Sequence, residues 1–189
     1  RLRLDASAFL TEVRNQQVSR MAANGLGRVT TNAGRSRAIG CEVTASGQIT
    51  EALSAHAAYG YTHSTFHDYS PQDGLDYKGN YVPFVPLNTL NVGARYSWKT
   101  KRWLRRITLQ ADWNGRGRIY WTEDNHVSEP FYGTLDARLT LSHRKADLSL
   151  WGKNLTNQHY RSFYFESMNR GFSQKGAPIQ LGADVRLRF

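Results

Sequence analysis

The chain lacks several features that common classes of protein require. It has 189 residues and a single cysteine, Cys41, which excludes an internal disulfide framework and a metal site built from several thiolates. No apolar run is longer than three residues, so a spanning helix of about 20 apolar residues is excluded. The chain begins at Arg1 without a Met or a signal-peptide segment, and we therefore expect a matured or truncated chain.

What the chain does contain is alternation. Apolar residues recur at every second position in eight separate segments, and polar residues fill the positions between them. A period of two is typical of β-strands that have one apolar and one polar face. We therefore predict eight strands, in the segments 2–11, 39–46, 53–62, 90–98, 107–113, 135–142, 146–150 and 181–189.

The connections between these strands alternate in length. Short links are predicted at 47–52, 100–104 and 143–145, and long links rich in Gly, Asn and Asp at 19–34, 66–83, 115–130 and 166–177. A meander with tight turns at one end and long loops at the other is typical of outer-membrane β-barrels. Soluble sandwiches more often have comparable loops at both ends.

The charged and amide residues that alternate with the apolar ones indicate which face of the sheet meets lipid. Because charge is tolerated beside water and not in hydrocarbon, we expect the apolar face to point outward to lipid. A soluble lipocalin-like barrel would reverse the two faces, and periodicity alone does not separate these alternatives. Aromatic residues at strand ends resemble interfacial girdles. The charged and amide residues opposite the apolar stripe are Arg3, Asp5, Glu42, Arg95, Gln110, Asp112, Asp136, Arg138, Asp147, Asp184, Arg186 and Arg188. The aromatic residues assigned to strand ends are Tyr96, Trp98, Trp113, Phe131, Tyr132, Tyr160, Phe163, Phe165 and Phe189.

Four short motifs stand in a characteristic order. They are Arg14–Val18 (RNQQV), Asn80–Leu90 (NYVPFVPLNTL), Trp151–Tyr160 (WGKNLTNQHY) and Gly176–Pro178 leading into the strand that ends at Phe189. Together they resemble the barrel of TonB-dependent outer-membrane receptors over essentially the whole chain. The resemblance implies a 22-stranded antiparallel barrel with short periplasmic turns, long extracellular loops and an N-terminal plug domain.

The length is too small for such a barrel. At about 10 residues per spanning strand, 22 strands need roughly 220 residues before any loop is added. We therefore expect residues 1–189 to be the C-terminal portion of the barrel, with the plug and the remaining strands absent from this chain. The family implies four partners. They are outer-membrane lipid and lipopolysaccharide, TonB through the missing N-terminal region, the barrel-assembly machinery reading the terminal Phe189, and a small-molecule chelate.

The resemblance implies a transporter and receptor in the outer membrane for a scarce nutrient, most commonly a ferric siderophore. The alternatives are an autonomous eight-stranded barrel with a structural or adhesion role and a lipocalin-like binder. Cations and aromatic rings in the long loops suit an anionic, partly aromatic chelate. The candidate ligand-binding residues are Tyr69, Tyr77, Arg116, Arg118, Tyr120, Trp121 and His126.

Other chemistries are less favoured by the sequence. His63 and His67 lie on one predicted strand, where four residues span about 13 Å, so they cannot share a metal ion. Ser, His and Asp are too scattered to predict a catalytic triad, and we expect neither an enzyme nor a cofactor. The formal charge of +10 includes a basic cluster at 99–106, but this lies at a predicted turn and does not indicate nucleic-acid binding.

Overall fold

The computed structural model describes residues 2–21, 28–71, 74–101, 103–168 and 170–188. All twelve elements in this part of the chain are β-strands. Within it, no helix is both long and apolar enough to serve as a membrane span. The strands are β1 (Leu2–Met21), β2 (Arg28–Gln48), β3 (Leu53–Asp68), β4 (Asn88–Lys99), β5 (Arg106–Arg116), β6 (Ile119–Tyr120), β7 (Ser128–Glu129), β8 (Tyr132–Ser142), β9 (Ala146–Lys153), β10 (Arg161–Ser167), β11 (Arg170–Lys175) and β12 (Gln180–Leu187).

Eight strands form one antiparallel sheet in the order β1-β2-β3-β4-β5-β8-β9-β12. The pairs β6-β7 and β10-β11 are separate small hairpins. The eight strands of the main sheet coincide with the eight predicted ones, so the predicted all-β meander is confirmed. In the described part, β1 and β12 each pair with one neighbour, so the sheet is open and the interpretation as an autonomous closed barrel is not supported.

The register brings all eight apolar stripes onto one face, which we call the outward face. Leu10 lies opposite Ile39, and the same alternation continues through Val92 and Trp113. The side chains on this face are exposed or half-buried, and the exposed fraction reaches 79% for Leu2. A lipocalin-like arrangement would bury them, whereas a lipid-facing surface leaves them on the outside of the protein. Further outward cross-strand pairs are Val43–Tyr59, Leu109–Leu139, Leu139–Leu150 and Leu148–Val185.

The opposite, luminal face is held by polar contacts between neighbouring strands. Asn91 donates to Asn114 at 2.7 Å, and Arg138 Nη1 donates to Asp184 Oδ2 at 2.7 Å. Such contacts satisfy polar groups on a surface that faces an aqueous lumen. The separation of an apolar from a charged face, predicted from the alternation, is therefore present in the sheet.

The short turns lie at one end of the sheet, as predicted. They occupy residues 49–52, 100–105 and 143–145, and β1 begins and β12 ends at the same side. The basic cluster of Lys99, Lys101, Arg105 and Arg106 lies at the second of these turns, while Arg102 lies outside the described residues.

The predicted 19–34 link is wrong, and the predicted 166–177 link lies within a longer connection, 154–179, that contains a hairpin of its own. β1 continues to Met21 and β2 begins at Arg28, so most of the predicted 19–34 link is strand. Residues 161–175 form the β10-β11 hairpin, so Phe163 and Phe165 lie on β10 and not at the end of β9. In β1 and β2, backbone pairing continues where the apolar alternation that signals a strand has stopped. The β10-β11 hairpin is a separate two-stranded sheet within the connection between β9 and β12. Phe189 lies outside the described residues, and its role in assembly stays a prediction.

The proline-containing motif at 80–87 extends the sheet above β3. Val82 N donates to Ser64 O at 3.0 Å on one side, and Phe84 N donates to Tyr120 O at 2.8 Å on the other. Pro83 and Pro86 have no N–H to donate. Pro83 lies between these two donors, and Pro86 lies between Phe84 and Leu87, whose N donates to Arg118 O at 3.0 Å. The segment therefore links the end of β3 to the hairpin that follows β5.

The turn after β9 is organised by Asn154, which is only 5% exposed. Its Nδ2 donates to the carbonyl oxygens of Gln158 at 3.0 Å and Ala177 at 2.9 Å, and its backbone N donates to Asp136 Oδ1 at 2.9 Å. Asn154 has a φ of 49°, which Asn tolerates better than most residues. One side chain thus joins the end of β9 to β8 and to the segment before β12.

Leu150, which is 47% exposed at the centre of the outward face, and its neighbour Ser149 on the luminal face give a matched test. Leu150→Arg in the complete protein should lower the free energy of unfolding in lipid vesicles by about 2–4 kcal/mol, because it places a charge in hydrocarbon. Ser149 lies opposite Asp184, and Ser149→Arg should change the free energy of unfolding by less than about 1 kcal/mol. Leu150→Ala controls for lost apolar area. Equal costs for the two arginine variants in urea titrations would contradict the assignment of faces.

Candidate functional site

Three long loops gather at the end of the sheet opposite the short turns. We call them the mouth loops, and they are the β3-β4 loop (69–87), the β5-β8 loop (117–131) and the β9-β12 loop (154–179). They carry most of the predicted ligand-binding residues. Their contacts with one another determine which of those residues remain open to a ligand.

The β3-β4 and β5-β8 loops are joined through Asn125. Tyr81 N donates to Asn125 Oδ1 at 2.6 Å, and Asn125 Nδ2 donates back to Tyr81 O at 2.9 Å. Asn80 Nδ2 donates to Glu123 O at 2.9 Å. Asn125 has a φ of 62°, which turns the tip of the loop toward Tyr81. The two loops therefore form one body beyond the end of the sheet.

Below this joint lies a small buried cluster. Phe66 and Tyr69 are each 1% exposed and pack with Val82, against Tyr77 and Val85. The hydroxyl of Tyr69 donates to Glu123 Oε2 at 2.6 Å. Tyr69 therefore supports the mouth loops from within, and its ring has no surface left for a ligand in this conformation.

Five rings form a continuous row along the mouth, which we call the aromatic row. Neighbouring ring centroids lie 5.6, 5.6, 5.9 and 5.1 Å apart. Trp121 at one end is 6% exposed, whereas the other four rings are between 37% and 50% exposed. Phe84 contacts both Trp121 and Phe163 and so joins three loops, and its φ of 67° is rare for a bulky residue. In order, the row is Trp121, Phe84, Phe163, Phe165 and Phe172.

His126 joins the β5-β8 loop to the β9-β12 loop. Its Nδ1 lies 2.5 Å from Asp124 Oδ1 on its own loop, and its Nε2 lies 3.0 Å from Glu166 Oε1 on β10. Ionised carboxylates only accept hydrogen bonds, so both contacts are satisfied only by the doubly protonated ring. Tyr164 also donates to Glu166 Oε1, at 2.9 Å.

The pKa shifts of the groups that join these two loops agree with the hydrogen bonds between them. The pKa of His126 is raised, first by its hydrogen bond to Asp124 and also by the negative charge of Glu166. The pKa of Asp124 is lowered, although burial opposes the shift, because His126 and Thr122 hydrogen-bond to the carboxylate. Burial and the hydrogen bond to Glu166 raise the pKa of Tyr164.

A second feature lies below the mouth loops, on the luminal face. It is a recess of about 540 Å³, which we call the luminal recess. Its floor is formed by small residues of β3, and Arg116 lies at its edge beside the stacked rings of Tyr132 and Tyr160, whose centroids are 4.2 Å apart. The other charged lining residue, Glu42, lies on β2, three strands or about 14 Å away from β5.

The structure separates the seven predicted ligand-binding residues into groups. Arg116 lines the luminal recess, Arg118 is exposed, and His126 holds the joint between loops. Tyr120 stacks on Tyr81 at 5.0 Å, and Tyr81 packs against His63 on the outward side of β3. The remaining three lie in packed positions. They are Tyr69 and Trp121, which are buried, and Tyr77, which packs on the buried cluster.

Sequence reasoning missed several residues that build the mouth. Phe84 joins three loops, and Asn125 and Glu166 each join two. The dipeptide Asp124-Asn125 is a turn signal and could have identified the tip, but Phe84 and Glu166 have no local signature. In the described part, no group of three or more His, Cys, Asp or Glu residues is placed to hold a metal ion. His63 and His67 both lie in β3, as predicted.

The joint at His126 predicts a pH dependence. Because the pKa is raised in the folded loops, the stabilisation is present at low pH and is lost as pH rises through that raised pKa. Spin labels at Lys78 and Gln174, in a Cys41→Ser background of the complete protein, should give a narrow distance distribution at about pH 5.5 and a broader one at about pH 9. Glu166→Gln should broaden the distribution at the lower pH. If the width of the distance distribution does not change with pH in the labelled protein that keeps Glu166, this role of His126 is contradicted.

Comparison with known structures supports the fold. The chain aligns with the ferric yersiniabactin uptake receptor FyuA from Yersinia pestis at a TM-score of 0.84 and 23% identity, covering 100% of this chain and 28% of that one. For the siderophore receptor PiuA from Acinetobacter baumannii the TM-score is 0.72 and the identity 22%, and the alignment covers 98% of this chain and 26% of that one. For the ferric-catecholate import receptor Fiu from K12 E. coli the TM-score is 0.71 and the identity 23%, and the alignment covers 100% of this chain and 25% of that one. The chain thus spans between a quarter and a third of these receptors.

The family model described as "TonB dependent receptor-like, beta-barrel" matches residues 1–155. This match covers most of the chain and confirms the family, fold class and outer-membrane location expected from the motifs. Members of the family are non-enzymatic receptors, which agrees with the expectation that the chain is not an enzyme. The chain belongs to the TonB-dependent receptor β-barrel family.

Proposed function

We propose that the complete protein is a TonB-energised importer of an anionic ferric chelate of the siderophore class. Residues 1–189 would be the C-terminal portion of its barrel, with the plug and the TonB-contacting segment supplied by the missing N-terminal region. The structurally similar receptors for ferric yersiniabactin, ferric catecholates and ferric citrate support this class of cargo. The other proposed partners are outer-membrane lipid and lipopolysaccharide, and the barrel-assembly machinery, which would read Phe189.

The observation that carries the proposal is the placement of Arg116. Its side chain lines the luminal recess, directly below the mouth loops and beside the Tyr132–Tyr160 stack. A guanidinium binds anionic oxygens through several donors, and flat rings contact the aryl groups of a chelate. Because Glu42 is about 14 Å away, its charge does not cancel that of Arg116 at close range.

The aromatic row and the remaining candidates complete the proposed site. Exposed rings at Phe84 and Phe163 would meet a chelate as it enters from the mouth. Arg118 would add positive charge there, and an exposed cation attracts an anion over roughly one Debye length of about 8 Å. The charge of His126 is balanced by Asp124 and Glu166, so His126 would hold the two loops in place and would not attract the anion itself. Tyr69 and Trp121 would support the loops instead of contacting the ligand, because their side chains are 1% and 6% exposed.

The proposal is tested with the full-length receptor in cells that have or lack TonB. Binding of ⁵⁵Fe-labelled catecholate, phenolate and citrate chelates to whole cells should occur in both strains for the correct class, and uptake only in the strain with TonB. Arg116→Gln should weaken binding roughly tenfold, as expected for one charge-assisted hydrogen bond. Arg105→Gln, at a short turn, removes the same charge and should have no effect. Binding of none of these chelates, or uptake without TonB, would contradict the proposal.

A further inference from the structure

The aromatic row presents an apolar surface close to a polar site. Its four open members are all phenylalanines, between 37% and 50% exposed, and a phenyl ring carries no hydrogen-bonding group. The luminal recess, in contrast, is lined largely by hydroxyl, amide and charged side chains. A contiguous exposed apolar patch rimmed by polar residues is typical of a binding surface. The row therefore offers contacts to an apolar group and not to a polar one.

The row lies on the luminal side of the mouth loops. Tyr120 stacks on Tyr81, which packs against His63 on the outward side of β3. Trp121 is the next residue, and its N still donates to Val127 O at 2.9 Å, so the extended pairing continues. Consecutive residues of a strand point to opposite sides. Trp121 and the rings that follow it in the row therefore lie on the side of the luminal recess.

The row and the luminal recess are close together along the chain. Tyr160 lines the recess, and Phe163 follows it after three residues, a distance of at most about 10 Å. An apolar group attached to a chelate in the recess needs to bridge only this distance to reach the row. One ligand with a polar and an apolar part would therefore contact both surfaces.

The length of the row favours a linear chain over a compact apolar group. Spacings of 5.6, 5.9 and 5.1 Å lead from Phe84 through Phe163 and Phe165 to Phe172, so the row is at most about 17 Å long. An extended carbon chain advances roughly 1.25 Å per bond, given a bond of about 1.5 Å and an angle of about 111°. A chain of about 12 to 14 carbons covers the whole row, whereas one aryl group covers only one or two of its rings.

We propose that the aromatic row binds a linear fatty acyl chain of about 12 carbons that is attached to the ferric chelate. The cargo would then be an amphiphilic chelate, with its anionic head at Arg116 and its chain on the phenylalanines. This inference rests on the importer function proposed above and specifies its cargo further. The gain from burying CH2 groups depends on apolar area and not on the chemistry of the head.

The test uses the full-length receptor in whole cells and ⁵⁵Fe complexes of catecholate, phenolate and citrate heads. Each head carries an acetyl, a dodecanoyl or a hexadecanoyl chain, and binding to cells without the receptor is subtracted to remove partition into the membrane. For the head that binds, the dodecanoyl form should bind at least about tenfold more tightly than the acetyl form, since each buried CH2 group tightens binding roughly fourfold. The hexadecanoyl form should gain less than about threefold more, because the row ends at Phe172.

Variants of the row test whether it causes this gain. Phe165→Ser/Phe172→Ser should reduce the ratio of dodecanoyl to acetyl affinity to less than about threefold. Phe165→Leu/Phe172→Leu should keep most of the ratio, because leucine retains apolar area without a ring. Phe131→Ser is the matched control and should leave the ratio unchanged, since Phe131 is 54% exposed but packs on Trp113 of the outward face. Arg116→Gln should weaken both forms by the same factor.

The outcomes separate this inference from the proposed function. Equal affinities of the acetyl and dodecanoyl forms would overturn the acyl-chain inference and leave the importer function standing, and they would assign the row to packing against loops of the strands that complete the barrel. Binding of no head with any chain would overturn both. The inference is also overturned if Phe165→Ser/Phe172→Ser keeps the full ratio in a receptor that folds normally by heat-modifiable mobility. If that variant does not fold, the chain-length series in the unsubstituted receptor and the leucine variant decide.

Discussion

Every backbone N–H and C=O within the hydrocarbon of a bilayer must find a partner inside the protein. This constraint explains the main sheet, because each strand between β1 and β12 pairs on both sides along its membrane-spanning part. It also explains the low mean hydropathy of -0.59. Only the outward half of the side chains meets lipid, and the luminal half carries the charges and amides that join neighbouring strands.

The same pairing continues beyond the bilayer, where it builds the mouth. β1 and β2 extend as a long hairpin past the apolar band, and the segment 80–87 continues the sheet between β3 and the β5-β8 loop. Beyond the band, water can satisfy the backbone, so polar side chains and ring contacts determine the conformation instead. Asn125 and His126 each connect two loops, and Phe84 connects three. Together they shape the surface above the luminal recess.

The sequence predicted the parts that the bilayer constrains most strongly. All eight strands, their two faces and the three short turns follow from a strict period of two, since a shift of one residue would move every apolar side chain to the wrong face. The long-loop ends of β1 and β2 could not be predicted, because the ladder of hydrogen bonds continues there without apolar alternation. In the site, loop composition identified Arg116 and His126 as candidates. It could not show that Tyr69 is buried or that Glu166 reaches His126, because these contacts join residues 54 and 40 positions apart.

The most direct test of the account measures which residues of one strand meet lipid. Single spin labels along β4 of the complete receptor, at each position from 91 to 96 in a Cys41→Ser background, would report accessibility to oxygen, which partitions into lipid, and to a water-soluble nickel chelate. The account predicts that oxygen accessibility peaks at Val92, Ala94 and Tyr96, and that nickel accessibility peaks at Asn91, Gly93 and Arg95. If oxygen accessibility peaks at Asn91, Gly93 and Arg95, or if neither accessibility varies with a period of two, the assignment of the apolar face to lipid is contradicted.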